Sequence, residues 1–112
     1  MTRCTLYVDS ASRITGFSLK GHSGYAEEGS DIVCAAVSAL AITTENALCR
    51  LVSLSPAERG GEDGFLEVML PQNMSESQMH DAQLLLSALH IGLESIAQDY
   101  PDYVRLTVRK VR

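Results

Sequence analysis

The residues best suited to chemistry lie in one stretch, GHSGYAEEGSDIVCAAVSAL, residues 21 to 40, which sets His22 twelve positions before Cys34. An imidazole that can take a thiol proton and return it to a leaving amine, beside a thiolate that can attack a carbonyl carbon, is the minimum equipment for acyl transfer. Gly21, Gly24 and Gly29 free the connection to fold back, Tyr25 adds an aromatic contact, and Glu27 and Glu28 favour a basic substrate. Asp31 has the side chain of a helix N-cap. With Asp31 in that place, Ile32, Val33 and Cys34 become the first three helical residues, where unpartnered amides and the positive end of the dipole favour a thiolate and could receive an oxyanion. Ser38, one turn on, reaches the same site or bonds back into its own helix.

A structural reading stands beside this one. Cysteine is among the most buried residue types, and on spacing alone a cysteine in an alanine-rich helix is more often packing than nucleophile. Cys49, farther along the same segment, and Cys4, near the N-terminus, are expected as apolar filling. His80 is expected to be exposed, and His90 partly buried beside an apolar stripe. The cysteine and histidine spacings match no metal-ligand pattern, and no cofactor is called for. Three cysteines with no CxxC pair argue against a disulfide framework.

The elements that must position these residues follow from periodicity. Arg3 to Asp9 alternates as a half-buried strand with Cys4, Leu6 and Val8 on one face, and Ile14 to Gly21 repeats the pattern to form a hairpin whose far end delivers His22. Ile32 to about Leu51 reads as a helix buried over much of its surface. Val52 to Ser55 and Phe65 to Leu70 read as a second hairpin around the loop Pro56 to Gly64, its first strand short and at an edge because of Pro56. Ser75 caps a second helix with Gln78 at the capping-box distance, its apolar stripe running from Met79 through Leu86 to Ile96, and Pro101 ends it. Tyr103 to Val111 closes the chain as a strand with Val104, Leu106 and Val108 inward. The order ββαββαβ implies an α+β two-layer sandwich, a mostly antiparallel sheet covered by two helices, in a single domain over residues 1–112.

Composition narrows the function classes. The formal charge is -5 and the only basic cluster in the sequence is Arg105, Arg109, Lys110 and Arg112, which argues against general nucleic-acid binding. No window is read as the roughly 18 to 20 apolar residues a membrane span needs. Met1 to Asp9 lacks the pattern of a signal peptide, so the expectation is a soluble, cytoplasmic protein without a membrane partner.

The stretch from Gly21 to Leu40 resembles the signature of the ribosomal-processing cysteine proteases (Prp) of Firmicutes and related bacteria, in which a Gly-His-Ala element precedes a glycine loop and Asp-Ile-Val-Cys-Ala-Ala-Val-Ser. Length and element order fit across essentially the whole chain. The resemblance implies an endopeptidase that removes a short N-terminal extension from the twenty-seventh protein of the large ribosomal subunit, the removed segment being apolar with aromatic residues near the cut. It implies His22 as base and acid, Cys34 as nucleophile and Asp31 as a supporting residue. It further implies a homodimer in which Ser23 to Ser30, with Ser23, Gly24, Tyr25, Gly29 and Ser30 as substrate-loop residues, acts as a gate. Ser23 stands where the family has alanine. The rival from another class is a noncatalytic ribosome-associated module that grips a basic peptide in the same loop.

Overall fold

A computed structural model describes residues 1–21, 28–62 and 64–111. The strands are β1 (Thr2–Val8), β2 (Ile14–Lys20), β3 (Ala57–Glu62), β4 (Phe65–Met69) and β5 (Val104–Lys110), and the helices are α1 (Glu28–Leu51) and α2 (Glu76–Asp99). The order is the expected ββαββαβ. The five strands form one sheet in the order β3-β4-β2-β1-β5, antiparallel except for the parallel pair β1 and β5.

Register explains the layering. Cys4 pairs with Leu19 and Leu106, and Leu6 with Phe17, which pairs in turn with Val68. These residues share one pleat face, and both helices lie on it. Val33, Val37, Ala41 and Leu48 of α1 and Ala82, Leu86, Leu89 and Leu93 of α2 join them in one buried core. The helices approach closely at Gly92, where a Cβ would come within 2.9 Å of Leu40. The β1 to β2 turn is held by Asp9, whose carboxylate accepts from the amides of Ala11 and Arg13, each at 2.9 Å, and from the Arg13 guanidinium. Those bonds, that of the Arg13 amide foremost, hold the Asp9 carboxyl below its usual range.

Several elements match their sequence reading. Ser75 caps α2 with a reciprocal capping box to Gln78, and α2 stops at Asp99, two residues before Pro101. The first strand of the second hairpin is at an edge, as expected, but it follows Pro56 instead of running into it.

Three expectations are corrected. Val52 to Ser55 is no strand. Val52 and Leu54 are buried plugs in the connection after α1, Ser53 has φ 59, and the first strand of the hairpin is Ala57–Glu62 instead. An exposed edge strand has no apolar alternation to show, and its glycines read as a turn. Gly60 (φ +85) sits beside a register shift, where a Cβ would collide with the Phe65 carbonyl oxygen. Val108 lies on the helix-side face as expected, opposite Leu6, but it is 51% exposed rather than buried, because β5 is the opposite edge strand.

The third correction concerns α1, which is not buried over much of its surface. Only one stripe reaches the core, whereas Ile32, Ala35, Ala36, Ala39 and Ile42 are exposed and Cys49, expected as filling, is exposed as well. Ile32–Leu51 is in fact long and apolar enough to cross a membrane by length and composition, contrary to the sequence reading. Its apolar length combines the core stripe with this uncovered alanine and isoleucine face.

One carboxyl pair ties α1 to the β3 edge. Glu58 shares the helix-side face with its register partner Val68, and there it meets Glu45 of α1. Partial burial, then the Glu58 carboxyl beside it, push the Glu45 carboxyl up to about 7. The folded chain therefore binds more protons than the unfolded chain between the ordinary glutamate range and about pH 7, so this pair lowers stability as pH rises through that window. Glu45→Gln should raise the melting temperature at pH 8 by a few degrees and leave it little changed at pH 4. The gain is at most about 1 kcal/mol, because both groups reach solvent.

Candidate active site

The site begins where β2 ends. Gly21 has φ +87, and a Cβ there would lie 2.6 Å from the Met1 carbonyl oxygen, so only glycine lets the chain leave the sheet in this direction. The next residue is His22. His22, Ser23, Gly24 and Tyr25 lie outside the described residues.

The helix that carries the cysteine starts three residues before Asp31, at Glu28. Asp31 is therefore inside the first turn and is not the N-cap, and Gly29 and Ser30 belong to α1 rather than to a loop. Nothing in Glu28 to Asp31 opposes a helical turn. It holds no proline or β-branched residue, and glycine in a first turn forfeits little because the amides there have no helical partner. Cys34 falls in the second turn. The amides of Ile32, Val33 and Cys34 are consequently engaged within the helix, and the role of oxyanion donors expected of them does not hold.

Cys34 and Ser38, both partly buried, occupy one flank of α1 at a four-residue spacing, and Glu45 continues that flank toward the β3 edge. Leu40, which packs on Gly92, marks the other flank, so Cys34 faces away from α2. The three thiols differ sharply in setting. Cys49 is exposed near the far end of α1. Cys4, 1% exposed in β1, is pushed up to about 12, first by burial and then by the charge of Cys34. That second cause places Cys4 within electrostatic reach of Cys34, a proximity that separation in sequence hides. Cys4 stays a neutral thiol at any physiological pH.

Other titratable groups are elsewhere. His80 is exposed against Asp81 at 3.1 Å, and His90, partly buried as expected, lies 3.7 Å from Glu94, both on α2. Among the described residues no cluster of three or more histidine, cysteine or acidic side chains could hold a metal ion. A cleft of about 370 Å³ opens at the opposite end of the sheet from Gly21, between the Asp9 to Arg13 turn and Met69, Leu70, Met74 and Met79. It is remote from Cys34.

Comparison with known proteins bears directly on this arrangement. The family model of the cysteine protease Prp matches residues 1–105. The ribosomal processing cysteine protease Prp of Bacillus subtilis is 33% identical over 108 residues, covering 96% of each chain. A crystal structure of an essential ribosomal processing protease Prp from S. aureus in complex with a substrate peptide superposes with a TM-score of 0.84 at 25% identity, covering 97% of this chain and 100% of that one. A second structure of the S. aureus protease, with a covalently linked product peptide, gives 0.82 at 26% identity over the same shares.

Proposed function

Because the chain belongs to the Prp family of cysteine proteases, we propose that it cuts the N-terminal extension from the twenty-seventh protein of the large ribosomal subunit, with Cys34 as nucleophile and His22 as its proton partner. The chain is a cysteine-type peptidase, and its relatives in Bacillus subtilis and Staphylococcus aureus are ribosomal processing cysteine proteases. The observation that carries the assignment to Cys34 is the contrast among the thiols. Cys34 alone combines partial exposure with a place twelve residues beyond His22, whereas Cys4 is sealed in the core and Cys49 lies fifteen residues down the helix.

The Cys34 sulfur attacks the scissile carbonyl carbon, His22 having taken the thiol proton, and a tetrahedral oxyanion forms. Collapse breaks the C–N bond as His22 returns the proton to the leaving amine. Water, activated by the same imidazole, then releases the acyl group and restores the thiol. The S. aureus protease with its covalently linked product peptide supports an enzyme-bound intermediate of this kind. Asp31, in the first turn of α1, is a supporting residue between the two reacting groups in sequence. Ser23, Gly24, Tyr25, Gly29 and Ser30 are proposed to meet the peptide, and Ser38 borders the nucleophile one turn on. The acidic helix layer suits a basic ribosomal protein.

The decisive experiment mixes purified protein with the extended ribosomal protein and reads product masses. A shortened protein beginning at one new N-terminus is expected. Tight binding without any cleavage would instead establish a noncatalytic peptide-binding module.

A cytoplasmic homodimer completes the reading. The uncovered face of α1 supports it, because a row of isoleucine and alanine side chains lets a second helix approach closely and would otherwise stay in water. Ile42, 50% exposed at the C-terminal end of that row and near the middle of α1, is the point of greatest leverage. Ile42→Glu should weaken self-association at least about tenfold in sedimentation equilibrium. An unchanged dimer would move the interface off this face.

A further inference from the structure

The sheet has two faces, and the helices cover only one. We propose that the open face is a docking surface for single-stranded RNA. Arg3, Lys20, Arg105 and Arg109 are scattered over more than a hundred positions in sequence, but register brings them together. Lys20 pairs with Arg3, Arg3 pairs with Arg105, and Tyr7 pairs with Arg109. All four cations alternate with residues that point into the core, all are exposed, and they therefore stand on the side away from the helices. Across the strands Lys20, Arg3 and Arg105 span about 10 Å, and Arg105 to Arg109 runs about 13 Å along β5.

Charge on the opposite layer is of the other sign. α2 carries Glu76, Asp81, Glu94 and Asp99 with no lysine or arginine, and α1 carries three acidic residues against Arg50 alone. The formal charge of -5 thus conceals a molecule with a basic sheet face and an acidic helix layer. A polyanion meets attraction on one side and repulsion on the other, which orients it. Composition argued against nucleic acid because the cations look dispersed; the topology collects them.

The face also favours nucleic acid over an acidic peptide. Tyr7 stands on it, half-buried, its hydroxyl 3.0 Å from that of Ser18. Phe65, the register partner of Lys20, stands there too, with the Arg59 guanidinium 5.8 Å from its ring centre. Arg59 is neutralised by Glu67 at 3.3 Å, so its contribution is a planar surface rather than net charge. Aromatic rings and guanidinium planes between cations suit stacked bases and phosphates, and a polyglutamate chain has no aromatic rings to stack on them.

The choice of RNA rests on the ribosomal role proposed for the protease, but the face itself does not. The test is fluorescence anisotropy of a labelled twelve-nucleotide oligouridylate with the full chain between 50 and 200 mM salt. Binding that weakens steadily with salt is expected, and Arg3→Gln with Arg105→Gln should make the slope of log K against log salt shallower by about 1.4 units. Affinity at 50 mM salt should fall at least tenfold, with cleavage of a free substrate peptide unchanged. Should that pair unfold the chain, Lys20→Gln with Arg109→Gln is read instead, with the same expectation. No binding at 50 mM salt, binding that both pairs leave intact, or equal competition by polyglutamate would overturn the proposal. Cleavage without RNA binding leaves the protease standing, and RNA binding without cleavage leaves this face standing.

Discussion

Cys34→Ala should lower kcat/KM for the extended ribosomal protein by at least about a thousandfold, while the melting temperature moves by no more than a few degrees. The split between activity and stability is what distinguishes a nucleophile from a packing residue. Cys34 is partly exposed on the flank of α1, so truncation removes little buried surface, in contrast to Cys4 at 1% exposure. If Cys34 were filling, as a cysteine in such a helix more often is, alanine would be nearly silent in turnover. Cys34→Ser is the sharper variant, because it keeps size and shape and changes only the attacking atom. Serine in that place should also fail, since an alkoxide is far harder to form than a thiolate. Cys4→Ser supplies the inverse control. It should destabilise the fold through a buried hydroxyl, yet leave turnover per folded molecule nearly intact. Kinetics on the extended substrate and thermal unfolding of the same preparations measure both quantities.

How much of this could be read from the chain depends on whether the signal was local. α2 was legible to the residue at its start and to within two residues at its end, because Ser75 and Gln78 carry their own capping geometry and Pro101 cannot continue a helix. Both strands of the first hairpin were legible from alternation. The β3 strand was not, since AERGGE at an edge is exposed and owes its extended form to pairing with β4 rather than to its own composition. The start of α1 was misplaced because Asp31 is a good cap in isolation, and a cap signal says nothing of helical residues that precede it. This shift matters chemically: it takes Cys34 out of the turn with free amides. At the candidate site, His22 and Cys34 were visible as residue types at a telling separation. The nearness of Cys4 to Cys34 exists only through the packing of α1 on the sheet, and the partnership of Arg3 with Arg105 only through strand pairing, each between distant parts of the chain.

Phe17→Ala should cost about 3 to 5 kcal/mol of stability, the heaviest loss expected from truncating any one core side chain of this protein. Phe17 is 0% exposed in the middle strand of the sheet, with Leu6 and Val68, each 1% exposed, as its register partners. Above it lies the helix layer, where Leu86, Leu89 and Leu93 are 2% exposed or less. Strands hydrogen-bonded on both sides cannot close inward, so most of the ring volume would remain as a cavity. For a domain of this size such a loss lowers the melting temperature by roughly 12 to 25 °C, and it approaches the whole stability of an ordinary domain. Phe17→Leu, which keeps most of the volume, should cost only about 1 to 1.5 kcal/mol. Leu84→Ala, at 61% exposure on α2, should change stability by less than about 0.5 kcal/mol. The same strand ends at Lys20, two residues before His22 in sequence. Activity of Phe17→Ala should track the folded fraction measured by denaturant titration. A fall in turnover well beyond that fraction would mean that β2 also sets the position of His22 within the folded state.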